Sequence, residues 1–298
     1  MMKLGVFLPQ VGPLAEAAGL RDLAQMIEAL GFDSAWVNDH VVIPWQQSRP
    51  YVRSRDGRFP VAPETPFLEA VTVLGYLVGV TRRLRLGTGV LVVPWRNPVL
   101  TAKQLATLDV LSGGRLIVGV GAGWWPEEFA ALATPFADRG RRTDEYLEVI
   151  RRCWTERHTG FHGRYYDLDD VGCFPKPAQR PHPPLVVGGA SPGALRRAGR
   201  VGDGWQPAGL SDGEIAAGWE RVRAEARAAG RDAAALLLSV QVRLRWADDD
   251  EAEQAVAALR RLRAQGAGQV VLEFAAADLT AARRQLERFM SAVWPAVA

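Results

Sequence analysis

The sequence predicts an α/β protein built as a closed (β/α)8 TIM barrel, with long insertions after strand 2 and before strand 5. Strand-like and helix-like apolar periodicities alternate eight times along the chain, and its 298 residues suit a fold for which ~250 are typical. Each strand is followed by a helix before the next strand, which is the connection that parallel strands require. A doubly wound open sheet is the alternative, but eight equal repeats leave no second half with its own switch point.

Eight β-rich segments are the predicted barrel strands: 3–9, 34–39, 83–94, 115–123, 185–189, 203–207, 236–246 and 269–274. The predicted helices are 20–31, 67–81, 98–114, 138–156, 192–202, 211–230, 248–266 and 278–294. Gly31 is placed to close the first helix, and Asp138 is placed to cap the fourth. We expect the whole chain, 1–298, to form one domain.

Two segments depart from the repeat. Residues 41–66 form a long polar loop after the second strand, and residues 157–184 form a proline-ended excursion before the fifth. Loops of this length in a compact domain are often functional lids. In a barrel the first loop leaves the C-terminal face, where active sites lie, whereas the second starts from the opposite face.

Composition excludes several functions. The net charge is only +3 and no basic run occurs, so despite a pI of 9.1 we expect no nucleic-acid partner. No apolar run is long enough to cross a bilayer, and the first residues lack a signal-peptide cleavage site. The two cysteines suggest neither a disulfide framework nor a zinc site. We therefore expect a cytoplasmic protein without a membrane partner.

The carboxyl ends of the strands should carry the chemistry of a barrel. They are lined by glycines, amides and tryptophans, with few charges: Gln10, Asn38–His40, 87–94, 121–125, 189–191, 205–206 and Glu273. This lining has no cluster of metal ligands, and the chain has no GxSxG motif of a serine hydrolase. It suits a flat, largely apolar cofactor, and His40 is either an acid/base group or cofactor contact, or a satisfied residue at the edge of the core.

Three glycine-containing motifs each have two interpretations. Residues 188–191 (GGAS) precede a helix that starts near Pro192, which makes either an anion site or a turn capped by Ser191. After Gly121, Trp124 and Trp125 form either a wall against a ligand or plain packing. Glycines inside 85–94 mark either a bulge that supports a planar ring or interior positions that need small side chains.

The ordered series NDH, RLRLGTGVLVVPWRNPVLTAKQLATLDVLSGGRLIVGVGAGWWPEEF, PKPAQRPHPPLVVGGAS and LRRAGRVGDGWQP resembles the bacterial luciferase-like monooxygenase superfamily. It is most similar to the actinobacterial branch of F420-dependent oxidoreductases. The resemblance runs from about residue 3 to residue 207. It implies a barrel, usually a homodimer, that binds F420 or FMN at the C-terminal face and acts on a small-molecule substrate.

The resemblance also implies roles for particular residues. The bulged third strand would support the cofactor ring, with Thr88, Gly89 and Val90 in contact and a non-proline cis peptide at Gly89–Val90; Gly121 would approach the ring as well. The loop formed by Gly188, Gly189, Ala190 and Ser191 would hold the phosphate. His40 is the implied acid/base residue, with Asp39 beside it. Trp45, Trp124 and Trp125 would line the substrate pocket.

One departure from the F420-dependent sugar and alcohol dehydrogenases limits what the resemblance implies. They place a glutamate directly after the glycines of strand 4, where this sequence has Trp124, with Glu127 and Glu128 further on. The sequence therefore favours reduction of an unsaturated or carbonyl compound, or monooxygenation, over dehydrogenation of a sugar or alcohol. The alternatives are an FMN-dependent monooxygenase and a non-catalytic barrel homologue. Arg53, Arg55 and Arg58 are candidates for binding the oligoglutamate tail of F420, or form a solvated loop.

Overall fold

The computed structural model describes residues 2–51, 53–54 and 56–297. Eight parallel strands close into a barrel in the order β3–β2–β1–β11–β10–β9–β8–β5, and pairing of β5 with β3 closes the ring. The barrel strands are β1 Lys3–Phe7, β2 Ser34–Val37, β3 Arg85–Thr88, β5 Leu116–Gly121, β8 Leu185–Gly188, β9 Gly204–Gln206, β10 Leu237–Val242 and β11 Ala267–Leu272. The predicted fold class is confirmed, and most strands are shorter than predicted.

Helices alternate with the strands around the outside of the barrel. They are α1 Ala17–Ala29, α2 Ala70–Val80, α3 Pro98–Ser112, α4 Pro126–Ala131, α5 Arg139–Thr155, α6 Pro192–Arg200, α7 Asp212–Ala228, α8 Asp249–Ala264 and α9 Leu279–Arg288. Local signals set their ends: α3 starts after Asn97, whose side chain accepts the Leu100 N–H, and ends at left-handed Gly113. Asp138 stands at the start of α5, but its carboxylate binds Arg142 instead of capping the helix. No helix within the described ranges is long and apolar enough to span a membrane.

The third barrel strand is interrupted, unlike the continuous run predicted for 83–94. After β3 the chain passes through a cis peptide bond between Gly89 and Val90, as the resemblance implied, and then forms β4, Leu91–Val92, against β5. The Thr88 hydroxyl donates to the Gly119 carbonyl at 2.7 Å. A side chain at Gly119 would collide with the Thr88 carbonyl oxygen. Glycine at this position therefore lets β5 approach the bulge that Gly89 and Val90 form between β3 and β4.

Large and small residues alternate inside the barrel. Trp36 is fully buried there with Phe7, Ile117, Val186 and Val271. A Cβ at Gly5 or Gly87 would lie 2.7 or 2.5 Å from the Trp36 indole, so glycines on the flanking strands make room for that ring. Buried polar side chains are linked by hydrogen bonds in the chain Gln241–Gln206–Ser239–Gln269–Ser34, so their polar atoms are satisfied.

The excursion before the fifth barrel strand is more ordered than predicted. It contains an antiparallel hairpin of β6, Thr159–His162, and β7, Asp167–Val171. The hairpin tip packs on α5, where Glu145 accepts the Tyr165 N–H, and Tyr166 contacts Asn97 at the start of α3. Because α3 starts directly after the third barrel strand, the hairpin reaches the C-terminal side of the barrel from outside.

Candidate functional site

His40 lies at the C-terminal edge of the barrel, three residues after β2 ends at Val37. Buried Gln10, which follows β1, fixes the backbone that leads to it. The Gln10 Nε2 donates to the carbonyls of Asn38 and Leu68 at 2.8 and 2.7 Å, and its Oε1 accepts the Asn38 N–H. These hydrogen bonds join the segments around Gln10, Asn38 and Leu68, and they fix the backbone that leads from β2 to His40.

Asp39 binds residues that follow the bulge at Gly89–Val90 and does not bind its neighbour His40. Its carboxylate is fully buried and accepts the Val92 N–H at 2.8 Å and an Arg96 N–H at 2.5 Å. Burial raises the pKa of Asp39, while the Arg96 guanidinium opposes that rise. The interpretation of Asp39 as the partner of His40 therefore has no supporting contact. Asp39 instead ties β4 and the start of α3 to the end of β2.

The carboxylate that contacts His40 comes from Glu128, on the short helix α4. His40 Nδ1 lies 3.1 Å from Glu128 Oε2, and Glu128 Oε1 accepts the Val41 N–H at 2.7 Å. The Glu128 side chain is 1% exposed and that of His40 is 13% exposed. Sequence reasoning missed this residue as a site residue, although its position four residues after Trp124 was a signal that could have indicated it.

Aromatic rings surround the His40 imidazole. Phe59 lies 4.6 Å from it between ring centroids, Phe67 5.5 Å and Trp125 6.0 Å. Trp124 stacks on Trp125 at 4.7 Å and meets Tyr51 of the 41–66 loop at 5.1 Å. The two tryptophans directly precede α4 and pack against the loop, and together they form an aromatic wall beside His40.

Trp45, the third predicted pocket residue, is 76% exposed on the same loop and makes no ring contact with His40. The structure therefore brings together two of the three tryptophans that were predicted to line the substrate pocket.

The predicted ring-binding residues meet around the Val90 side chain. Thr88 is buried, and Gly89 and Val90 are half-buried at the inner edge of the barrel. A Cβ at Gly121 would lie 2.5 Å from Val90 Cγ2, and one at Gly188 would lie 2.7 Å from Val90 Cγ1. Both glycines therefore make room for Val90, a packing role that the sequence did not indicate.

Replacing Gly121 with alanine is expected to destabilise the fold by about 1–3 kcal/mol, because the new methyl group overpacks against Val90. Combining it with Val90→Ala should cost less than the sum of the two single changes, since the smaller side chain removes the clash. Urea unfolding of the four proteins measures this coupling. Additive changes would mean that Val90 does not limit the space at Gly121.

The GGAS loop leaves the C-terminal end of β8 and begins α6. Gly189 adopts a positive φ of 95°, and the Ser191 hydroxyl accepts the Ala194 N–H at 3.2 Å as the helix cap. Gly189, Ala190 and Ser191 are exposed, so the first turn of α6 is accessible to an anion. Both interpretations of this motif are compatible with the geometry, because Ser191 can cap the helix while backbone N–H groups bind a ligand.

The 41–66 loop is attached across the C-terminal face at several points. Arg53 forms an ion pair with Glu273 after β11 and a 3.4 Å hydrogen bond with Gln241 Oε1. The Ser48 N–H donates to Glu127 Oε1 at 2.7 Å. Arg53 is therefore committed to the barrel and Arg58 is exposed, whereas Arg55 lies outside the described residues. The loop covers the side of the barrel that holds His40.

No group of three or more His, Cys, Asp or Glu side chains is placed to hold a metal ion in the part of the chain that the structure describes.

The fold and this edge define an α/β barrel with a nearly buried histidine, an aromatic wall and an accessible helix N-terminus at the carboxyl ends of its strands. The family model of the luciferase-like monooxygenases matches residues 2–295. The chain therefore belongs to the luciferase-like monooxygenase family, a family of enzymes that act as F420- or FMN-dependent oxidoreductases and monooxygenases.

Similar proteins include users of both cofactors. The FMNH2-dependent dimethylsulfone monooxygenase of Pseudomonas putida is 37% identical over 193 residues, which cover 64% of this chain and 52% of that protein. The F420-dependent glucose-6-phosphate dehydrogenase of Amycolatopsis mediterranei is 35% identical over 198 residues, 64% of this chain and 54% of that protein. The match thus spans about half the length of these relatives.

A solved F420-dependent secondary alcohol dehydrogenase, in complex with an F420–acetone adduct, shares the fold. It superposes with a TM-score of 0.81 at 20% identity over 100% of this chain and 99% of that one.

Proposed function

We propose that this protein is an F420-dependent oxidoreductase that reduces or oxidises a small organic substrate, with His40 as its proton donor or acceptor. The observation that carries the proposal is the placement of His40. Its imidazole lies at the C-terminal edge of a flavin-family barrel, is nearly buried, and contacts a carboxylate through one nitrogen. Histidine is the side chain that most often transfers protons in enzymes that work near neutral pH.

The residues present fit such a cofactor. The half-buried Gly89–Val90 peptide, with Phe7 packed beneath Gly89, offers a flat apolar support for a ring system. The exposed first turn of α6 after Gly189 offers free N–H groups for a phosphate. When bound, F420 would supply two-electron transfer chemistry.

The chain's own contribution would be to orient the reactants, exclude water and move one proton. Phe59 of the 41–66 loop and Trp125 pack against the His40 ring and keep water from it, and Trp124 stacks on Trp125. These rings carry no charge and favour a weakly polar substrate. Two charged side chains of this face, Arg53 and Arg96, are already paired with Glu273 and Asp39. An uncharged ketone or enone therefore suits the site better than a phosphorylated sugar.

The preference for F420 over FMN rests on the sequence Asp39–His40 after the second strand, which resembles that of the F420-dependent dehydrogenases, although the two side chains do not contact each other. An FMN-dependent monooxygenase is the second candidate, because a relative with that activity has a similar level of identity. As the resemblance implies, we also propose a homodimer.

Titration of the purified protein with F420 and, separately, with FMN tests the cofactor. Tryptophan emission should be quenched by F420 at micromolar concentrations, because Trp124 and Trp125 lie at the proposed site. The expected result is tighter binding of F420 than of FMN. Tight binding of FMN without binding of F420 would favour the monooxygenase, and binding of neither would favour a non-catalytic homologue. Light scattering measures whether the protein is a dimer.

A further inference from the structure

Glu128 is the only carboxylate that touches His40 among the residues the structure describes. All of its hydrogen bonds go to one short segment: His40 Nδ1 at 3.1 Å, the Val41 N–H at 2.7 Å and the Val42 N–H at 3.4 Å. Its side chain is 1% exposed and lies within 4 Å of no lysine or arginine nitrogen in the described chain. A carboxylate this deeply buried is costly unless its partners satisfy it.

These contacts fix which nitrogen of His40 can act. An ionised carboxylate only accepts hydrogen bonds, so a Glu128 in that form requires the proton of His40 to be on Nδ1. Nε2, for which the described residues offer no partner, is then the nitrogen with a free lone pair in the neutral ring. A carboxylate that holds a histidine in one tautomer and stabilises its protonated form is a recurring device in acid/base catalysis.

The same carboxylate also holds the first residues of the 41–66 loop. One oxygen of Glu128 binds the backbone of Val41 and Val42, and the other faces His40. The imidazole is further packed by Phe59, which belongs to the loop. A movement that lifted the beginning of the loop would therefore break the contact that orients His40. The start of the loop and the His40 ring are thus held by the same carboxylate, that of Glu128.

We propose that Glu128 is the positioning residue of His40: one carboxylate oxygen selects the tautomer with Nε2 free, while the other holds the backbone at the start of the 41–66 loop. This role rests on the proposed function of His40 as the proton-transferring residue. The dehydrogenases have a glutamate at the position of Trp124. In this chain a carboxylate occurs four residues later, at Glu128, and it contacts the histidine.

The neighbouring Glu127 provides a matched control. It accepts the Ser48 N–H at 2.7 Å and so attaches the same loop, but it does not touch His40. Burial acts to raise the pKa of Glu127, but hydrogen bonds from Ser48 and from its own backbone, together with the charge of Arg49, leave that pKa below the ordinary value. A variant at this position therefore tests loop attachment without removing the partner of the imidazole.

The test is nitrogen NMR of the histidine rings in wild type, Glu128→Gln and Glu127→Gln, without added cofactor. The chain has four histidines, and the spectrum of His40→Ala assigns the signal of interest. We expect wild type and Glu127→Gln to show His40 protonated at Nδ1 alone, and Glu128→Gln to show a mixture of tautomers. A wild-type His40 protonated at Nε2, or a tautomer unchanged in Glu128→Gln, would overturn the proposal.

Steady-state kinetics give a second test, because a residue with only a structural role would not change kcat while leaving KM nearly constant. With F420H2 and cyclohexenone as probe substrates, Glu128→Gln should lose about 10²-fold in kcat with KM changed by less than about threefold. Glu127→Gln should keep most of its kcat. Equal losses in both variants would assign the effect to loop attachment and overturn the positioning role. The NMR experiment needs no F420. A protein that failed to bind F420 would therefore contradict the proposed function, while the NMR spectra would still decide the role of Glu128.

Discussion

Replacing His40 with alanine is expected to lower kcat by about 10²–10⁴-fold, the range that general acid–base catalysis contributes. The binding of F420 should change little, because the proposed cofactor contacts lie on the Gly89–Val90 bulge and the Gly189–Ser191 turn. The measurement is oxidation of F420H2 by a panel of uncharged ketones and enones, followed by the visible absorbance of F420. The same protein samples are titrated with F420 to separate turnover from binding.

His158 offers the matched control for this substitution. It also pairs with a carboxylate, since its Nδ1 lies 3.1 Å from Asp170, but on the exposed hairpin. Changing His158 to alanine should leave turnover at the wild-type rate. Wild-type turnover in His40→Ala would remove His40 from the chemistry, whereas loss of F420 binding would assign it to the cofactor site.

The second large effect is expected at Asp39, on stability. Changing it to alanine should lower the free energy of unfolding by about 3–5 kcal/mol, because a buried charge pair loses one partner and the Val92 N–H is left unsatisfied. Denaturant unfolding measures the loss.

Glu69 is the control for this change, because it also binds Arg96, at 3.2 Å, but is half-exposed and caps α2 through the Thr72 N–H. Its replacement by alanine should cost about 1 kcal/mol, the usual cost of losing a helix cap. Equal losses at Asp39 and Glu69, or none at Asp39, would show that the buried pair does not hold the bulge.

The barrel was predictable from sequence because it depends on repeated, local signals. Each change of apolar period marks one strand or helix, and helix caps such as Asn97 and Gly113 are set by neighbouring residues. Since parallel strands end at one edge, His40 and the GGAS turn could be placed on the same face without knowledge of side-chain contacts. The hairpin of β6 and β7 was missed, because its strands are short and polar and β7 contains three aspartates.

The partner of His40 was not predictable for a different reason. Adjacent side chains near the end of a strand point to opposite sides, so Asp39, next to His40 in sequence, faces Arg96 instead. Glu128 lies 88 residues away from His40, on a helix of six residues that has no strong periodic pattern. The space that Val90 needs at Gly121 and Gly188 likewise depends on three separate strands meeting. Such contacts arise only from tertiary packing.

The central claim is that a deazaflavin ring binds between the third-strand bulge and His40, and a crystal structure of the protein with F420 tests it most directly. We expect the ring to lie against the Gly89–Val90 peptide with His40 Nε2 facing the reacting side, and the phosphate to lie at Gly189–Ser191. Density for F420 elsewhere on the molecule, or a ring separated from His40 by the closed 41–66 loop, would contradict it.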